Sequence, residues 1–465
     1  MDFSAPILFA QENSNSSDIL SQIPVFFDFV TKHWQFCLLH FLEFAIWGAW
    51  IVVLGNLLNA RGFSRTDIGR IYGTMPIGTM MTILFIGAIA DKYLNTEDLI
   101  GGSHLVGAVF LFLMARAQSA RVFFWFALLY ALAFAPTLGL VNSIVFAHDK
   151  DIFGGTAEQY FPWIRVFGTL GWILAGLSHA LILKKDEPVN ERPLLLACGL
   201  SVVLGLFAFT LPDTKPVGAT DEAAAQKSAA DESANEAKDS GEKSADDAVE
   251  STKDMGIIGG SIEMLKSFPV FFAVAFVAAM AMGLYFAFAA LFLEKTGVAP
   301  NVVGPTMTIG QWIEIFFMLT LPWFLMTLGM NWVLLIGVGA WSLRFALFAI
   351  GRPLPLVLVG IGIHGICFDF FFAAGMINAN KIAPEHLTAT AQALFGFLVY
   401  GLGMYLGSEL SGWWNQRLSK SEPAADKESK EEEETVTNWR LFWGIPCVIM
   451  TIATVVFLMS ILARS

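Results

Sequence analysis

The sequence predicts an all-α membrane protein with twelve transmembrane helices in two six-helix halves. Three observations carry this prediction. Hydrophobic residues make up 55% of the 465 positions, with 42 Phe and 14 Trp against 15% charged residues, a balance outside the range of ordinary soluble domains. The apolar residues gather into runs of about 20, the length that crosses a bilayer as a helix. Twelve such runs lie at 34–58, 68–90, 99–116, 121–147, 162–183, 193–211, 269–294, 302–328, 331–350, 354–380, 386–414 and 438–462. Finally, one long polar segment divides them six and six. Barrel strands would be short and alternating, whereas these runs are long and continuous.

The expected organisation is an amino-terminal tail (1–33), a first half (34–211), a charged, disordered linker (212–265) and a second half (266–465) containing an acidic loop at 419–437. In the tail, Asp2, Glu12 and Asp18 precede the first basic residue, Lys32, and no signal peptide is read. Its apolar pieces at 7–10 and 23–30 are expected either to form a short interfacial helix or to stay unstructured.

The first run places Glu43, Trp47 and Trp50 at i, i+4, i+7, on one helical face. Glu43 is either an intramembrane site residue or an end-of-span residue that reaches water. The second run ends in Gly87-Ala88-Ile89-Ala90-Asp91-Lys92, a tight charged turn of the kind that joins antiparallel helices. In the fourth, Pro136 to Ser143 combines Pro, Gly and polar side chains at membrane depth, and such breaks are tolerated where neighbouring helices or a cavity satisfy the backbone. The fifth sets Arg165 and Thr169 on one face, with Gly168 and Gly171 permitting close helix approach. Arg165 either enters a pocket or snorkels to the interface.

Residues 212–255 run in Ala, Ser, Lys, Asp and Glu without an aromatic, a composition that cannot bury enough apolar surface to fold. In the eighth run Thr308, Gln311 and Glu314 follow i, i+3, i+6 and form a polar stripe, while Ile309, Ile313, Phe316 and Phe317 look elsewhere. A carboxylate at mid-bilayer costs roughly 2.5–3.5 kcal/mol, so this stripe is expected to face inward onto partners. Arg344 in the ninth run is expected to be an interfacial anchor. The tenth holds Asp369 centrally among Phe368, Phe370, Phe371 and Phe372, with His364 as proton-relay partner or hydrogen-bonded cavity wall. Glu409, late in the eleventh, is expected near water, and the acidic loop as a solvated run.

The net charge of −12 is concentrated in the two polar segments and argues against nucleic acid or acidic lipid headgroups as partners. Cys37, Cys198, Cys367 and Cys447 show no CxxC and read as small buried hydrophobes. HExxH, GxSxG and clustered metal ligands are lacking, so an enzyme is not expected. Two six-span halves suggest the parallel repeat of the major facilitator architecture, with substrate at the midplane. Internal similarity is faint: opposite Asp91-Lys92 the second half offers only Leu328-Gly329-Met330-Asn331.

The islands Trp47-Gly48-Ala49-Trp50, Ala90-Asp91-Lys92, Pro136 to Leu140, Ile164 to Thr169, Gln311 with Glu314, Leu343 to Ala349 and Phe368 to Phe371 occur in order through nearly all spans. In these the chain resembles the bacterial nucleoside:proton symporters of the major facilitator superfamily. The resemblance implies a multi-pass protein of the bacterial inner membrane with both termini and the linker cytoplasmic, taking up nucleosides with a proton as coupling ion and needing no other cofactor. It implies a pocket of Arg165, Thr169, Trp172, Gln311, Glu314, His364 and Phe368, with Asp369, Glu314 and Glu43 as proton-coupling candidates. A monomer in the lipid bilayer is favoured. A ribose diol suits a carboxylate and a guanidinium, a base edge suits Gln311, and Phe368 or Trp172 offers a stacking face.

Where the family carries a Gln and an Asn in the seventh span, this chain has Gly283 and Phe286, with Tyr285 as a partial substitute, and Glu43 replaces a neutral amide. Loops that the resemblance places outside hold Arg61, Arg65, Arg70, Arg116, Arg121, Lys184, Lys185 and Arg192, against Lys92 and Lys150 in short inner ones, which runs against the positive-inside rule. Two rivals follow from the departures: the same fold carrying a sugar or other small polyhydroxylated solute, or a non-transporting membrane receptor.

Overall fold

A computed structural model of the chain describes residues 19–83, 95–214, 257–423 and 433–463. Ten helical segments among these are long and apolar enough to cross a membrane. In chain order they are the first span Trp34–Ala60, third Thr96–Arg116, fourth Ala120–Ala147, fifth Gln159–Ile182, seventh Pro269–Lys295, eighth Pro300–Leu328, ninth Met330–Ile350, tenth Leu354–Ile382, eleventh Thr388–Leu418 and twelfth Trp439–Leu462. The shorter apolar helix Arg192–Ala208 takes the sixth place. The second is taken by Arg65–Tyr72 and Thr74–Met81, which lead into residues outside the description. The predicted Asp91-Lys92 turn, the tail piece at 7–10, most of the linker and the middle of the acidic loop also lie outside the described residues.

Helix packing shows the repeat that the residues barely hint at. In one half the first span packs on the fifth and sixth, and the third on the fourth and sixth. In the other the seventh packs on the eleventh and twelfth, and the ninth on the tenth and twelfth. Each pairing of the second set is one of the first with its ordinals raised by six. The halves meet where the second span packs on the eleventh and the fifth on the eighth, a pair of contacts that the same shift exchanges. This is the two-halved, helical membrane fold the hydropathy predicts.

Outward-facing apolar side chains explain the composition. Trp312, Phe316 and Trp323 on the eighth span are exposed, as lipid-facing residues are, while Thr308 on the same helix is buried. Interrupted helices are repaired by side chains: at the break in the first span the Tyr72 hydroxyl donates to the Ile51 carbonyl at 2.8 Å and accepts from the Gly55 N–H at 3.0 Å. Two otherwise orphaned backbone groups are thereby satisfied.

Four expectations take definite form here. Residues Ile19–Lys32 form a helix, and Phe29 packs edge-on to Trp163 at 5.4 Å, so of the two alternatives for 23–30 the helix holds. Ile257–Ser267, inside the segment predicted as linker, is also helical. The ends of the acidic loop pair as an antiparallel hairpin, β1 (Ser419–Pro423) with β2 (Glu433–Thr437), closed at its base where the Ser419 and Thr437 hydroxyls lie 2.8 Å apart and Thr437 donates to Asn415. Glu409 is one-quarter accessible and pairs with half-exposed Arg70 of the second span at 3.7 Å, joining the halves.

Arg344 corrects its prediction: it is fully buried and no interfacial anchor. Its Nε donates to the Gly360 carbonyl at 3.0 Å and its Nη2 to Ile361 at 3.4 Å. The guanidinium lies 4.2 Å from the Tyr285 ring centroid and 5.0 Å from that of Trp341, and desolvated cation–π contacts of this kind contribute about 2 kcal/mol or more. Both carbonyls lie in the last turn of the helical segment Leu354–Gly362, next to the break at Ile363, an arrangement that hydropathy does not reveal.

Candidate functional site

The eighth and tenth spans are pressed together at the depth of Glu314. A Cβ on Gly365 would lie 2.7 Å from the Glu314 amide nitrogen and 2.8 Å from the Ile313 carbonyl carbon, so only a glycine lets the tenth helix approach there. His364 Nε2 consequently stands 3.6 Å from Glu314 Oε2, with the histidine 3% and the glutamate 16% accessible at the side chain. Gly365→Ala is expected to wedge the two helices apart and cost about 1–3 kcal/mol, read as a lowered thermal-unfolding midpoint with lost ligand binding. An unchanged midpoint would mean that the contact is not tight.

Beyond His364 the tenth span winds into a π-helical turn, Phe368–Ala373, and the eleventh does the same at Phe397–Gly403. Such turns insert an extra residue and re-aim the side chains, and they concentrate at functional sites. The first carries Asp369, buried at 1% exposure with Oδ2 lacking a hydrogen-bond partner. The second carries Tyr400, within electrostatic reach of Glu314, Arg165 and Asp369. Sequence reading passed over Tyr400; its signal is a phenol in an apolar run, beside Gly401, in a chain with only seven tyrosines.

From the first half, the fifth span brings Arg165, whose guanidinium sits 4.1 Å above the Phe44 ring and within electrostatic reach of Glu314 and Tyr400. It does not snorkel. Thr169, one turn on, is buried, and Trp172 meets Trp47 edge-on at 5.4 Å. Gln311 lies one turn before Glu314 with its carbonyl oxygen buried and unpartnered, as is His364 Nδ1. The Phe368 ring centroid is 5.8 Å from that of His364. The structure therefore joins Arg165, Glu314, His364, Phe368 and Asp369, with Tyr400 added, at the meeting of the halves.

Glu43 stands elsewhere. It is completely buried inside the first half, where His104 Nε2 lies 2.7 Å from Oε2 and Thr137 donates to Oε1 at 2.7 Å. It therefore neither lines the central cluster nor reaches water. On the seventh span Gly283 packs against the eleventh, where a Cβ would lie 2.5 Å from the Met404 carbonyl oxygen, and Phe286 presents an apolar ring to His364, edge-on at 6.3 Å. Tyr285 stacks on His364 at 5.6 Å and carries Arg344 on its ring.

A family model described as Nucleoside H+ symporter matches residues 30–233 and 242–464. The chain belongs to that family. Among its relatives in Escherichia coli K12, it is 32% identical to the putative nucleoside transporter YegT over 432 residues, 90% of this chain and 91% of that one. It is 31% identical to the xanthosine permease over 385 residues, 80% and 85% of the two chains. The crystal structure of the nucleoside transporter NupG superposes with a TM-score of 0.72 at 26% identity, covering 91% of this chain and 98% of that one. As a member of the symporter family with ten membrane-crossing helical segments among its described residues, the protein is a multi-pass protein of the inner membrane.

Proposed function

We propose that the protein is a proton-coupled secondary transporter that imports nucleosides by alternating access. The observation that carries this reading is that Arg165 of the first half lies within electrostatic reach of Glu314 and Tyr400 of the second, the two groups that also face Asp369, in a chain of the nucleoside H+ symporter family. The binding chemistry follows from the groups present. Glu314 accepts from ribose hydroxyls, Arg165 donates to them, Gln311 meets a base edge, and Phe368 offers a ring face. The unpartnered polar atoms of Gln311, His364 and Asp369 would find their hydrogen bonds in the substrate, since buried polar groups are costly when left unpaired.

Coupling follows from the same geometry. A carboxylate that alternates between an apolar surrounding and a nearby guanidinium takes up a proton in one state and releases it in the other. As the halves rock about the midplane site, Arg165 moves relative to Glu314 and Asp369, and proton and substrate cross together.

Uptake of radiolabelled uridine and adenosine with and without a protonophore tests this reading: accumulation is expected for at least one of them and is expected to collapse with the protonophore. The apolar Phe286 ring on the seventh span favours a second reading, a sugar or other polyhydroxylated solute in the same pocket. A thermal-shift panel separates the two, with nucleosides stabilising and free sugars inert under the first. Ligand binding without flux in proteoliposomes would indicate a receptor instead.

A further inference from the structure

Away from the central cluster, the first half holds a fully buried carboxyl–imidazole pair in contact, Glu43 and His104. Their hydrogen-bond partners set the geometry of the pair. Ser201 has a single hydroxyl proton and donates it to the His104 carbonyl at 2.9 Å. The same hydroxyl oxygen lies 3.3 Å from His104 Nδ1. Glu43 Oε2 and His104 Nε2 are 2.7 Å apart, a separation at which two bare acceptors repel, so a proton lies between them.

The surroundings contain nothing that would neutralise either group alone. From the fourth span the Thr137 hydroxyl lies 2.7 Å from both Glu43 Oε1 and the Phe134 carbonyl, with one proton between the two, and Tyr130 lies within electrostatic reach. The sixth span presents Ser201, along with Cys198 bonded to the Ala108 carbonyl. His40, one turn earlier on the first span, bonds instead to Asn142 at 3.2 Å. The fifth brings Arg165 onto Phe44, the neighbour of Glu43.

We propose that Glu43 and His104 form a second proton-binding site, lodged within the first half and mechanically tied to the central pocket. The tie has three strands. Thr137 begins the helical segment that follows the break at Pro136, so the hydroxyl on Glu43 holds the edge of that break. Asn142, further along the same segment, is held by His40. Phe44 seats the Arg165 guanidinium. Removing the shared proton leaves a carboxylate that demands more from Thr137 and His104, pulling on the broken fourth span and on Phe44 together. Proton occupancy of the pair does not depend on the transport reading; its influence on transport rests on it.

The test is pH-difference infrared spectroscopy of the purified full-length chain, with Asp369→Asn and Glu314→Gln assigning the central carboxyls. A protonated-carboxyl band lost in Glu43→Gln and shifted in frequency by Thr137→Val is the expected result. Should Glu43→Gln not fold, the Thr137→Val shift alone carries the assignment. If every protonated-carboxyl band persists in Glu43→Gln, or none moves in Thr137→Val, the proposal falls. In transport, Glu43→Gln and His104→Gln are both expected to displace the pH profile of nucleoside affinity in the same direction; identical profiles to wild type remove the tie to the pocket. A Glu43-dependent band in a protein without proton-driven uptake would defeat the transport reading and keep the site, whereas proton-driven uptake without that band would do the reverse.

Discussion

Asp369→Asn is expected to abolish uphill accumulation of nucleoside while leaving exchange across the membrane largely intact. The amide matches the carboxyl in shape and mimics its protonated form but cannot give up a proton. Asp369 sits in a π-helical turn, 1% exposed, with one oxygen unpartnered, so an amide is accommodated there without a buried charge to solvate. A gradient of one pH unit is worth about 1.4 kcal/mol and supports about tenfold accumulation at one proton per substrate. In vesicles carrying the Asp369→Asn variant the ratio should fall to about one while counterflow of labelled against unlabelled substrate continues. Accumulation that survives would move the coupling to another carboxylate.

Arg165→Ala is expected to cost about 2–5 kcal/mol of nucleoside affinity, the range for truncating one partner of a buried charged pair. That corresponds to roughly 30- to several-thousand-fold in Kd. Part of the loss comes from Glu314 left without the nearby cation, part from the donors withdrawn from the ribose. Arg165→Lys keeps the charge but not the planar fork or the stacking on Phe44, and should fall between. Calorimetric titration of the three proteins with one nucleoside measures this order, and an alanine variant within a few-fold of wild type would take Arg165 out of the pocket.

The fold was legible because crossing a bilayer imposes length and apolarity on every helix, and both are written in the residues one by one. The inward stripe on the eighth span was legible for the same reason: Trp312 and Phe316 face outward while Thr308 is buried, as a 3.6-residue period requires. Three features were not. Tyr400 reaches the cluster through a π-helical turn at Phe397–Gly403, and an inserted residue breaks the period on which face assignment depends. Arg344 was expected near water because it stands near the end of the ninth span, yet carbonyls beside the break at Ile363 hold it. Glu43 was left between pocket and interface because its partners, His104 and Thr137, lie 61 and 94 residues away, and spacing along one helix says nothing about them.

The central claim, that proton and nucleoside cross together through one site between the halves, is tested most directly by recording lumenal pH and labelled uridine or adenosine in the same proteoliposomes. Adding nucleoside outside, with no gradient imposed, should acidify the lumen in step with uptake, and Asp369→Asn should remove the acidification. Nucleoside entry with no change in lumenal pH in the wild-type protein would contradict the account.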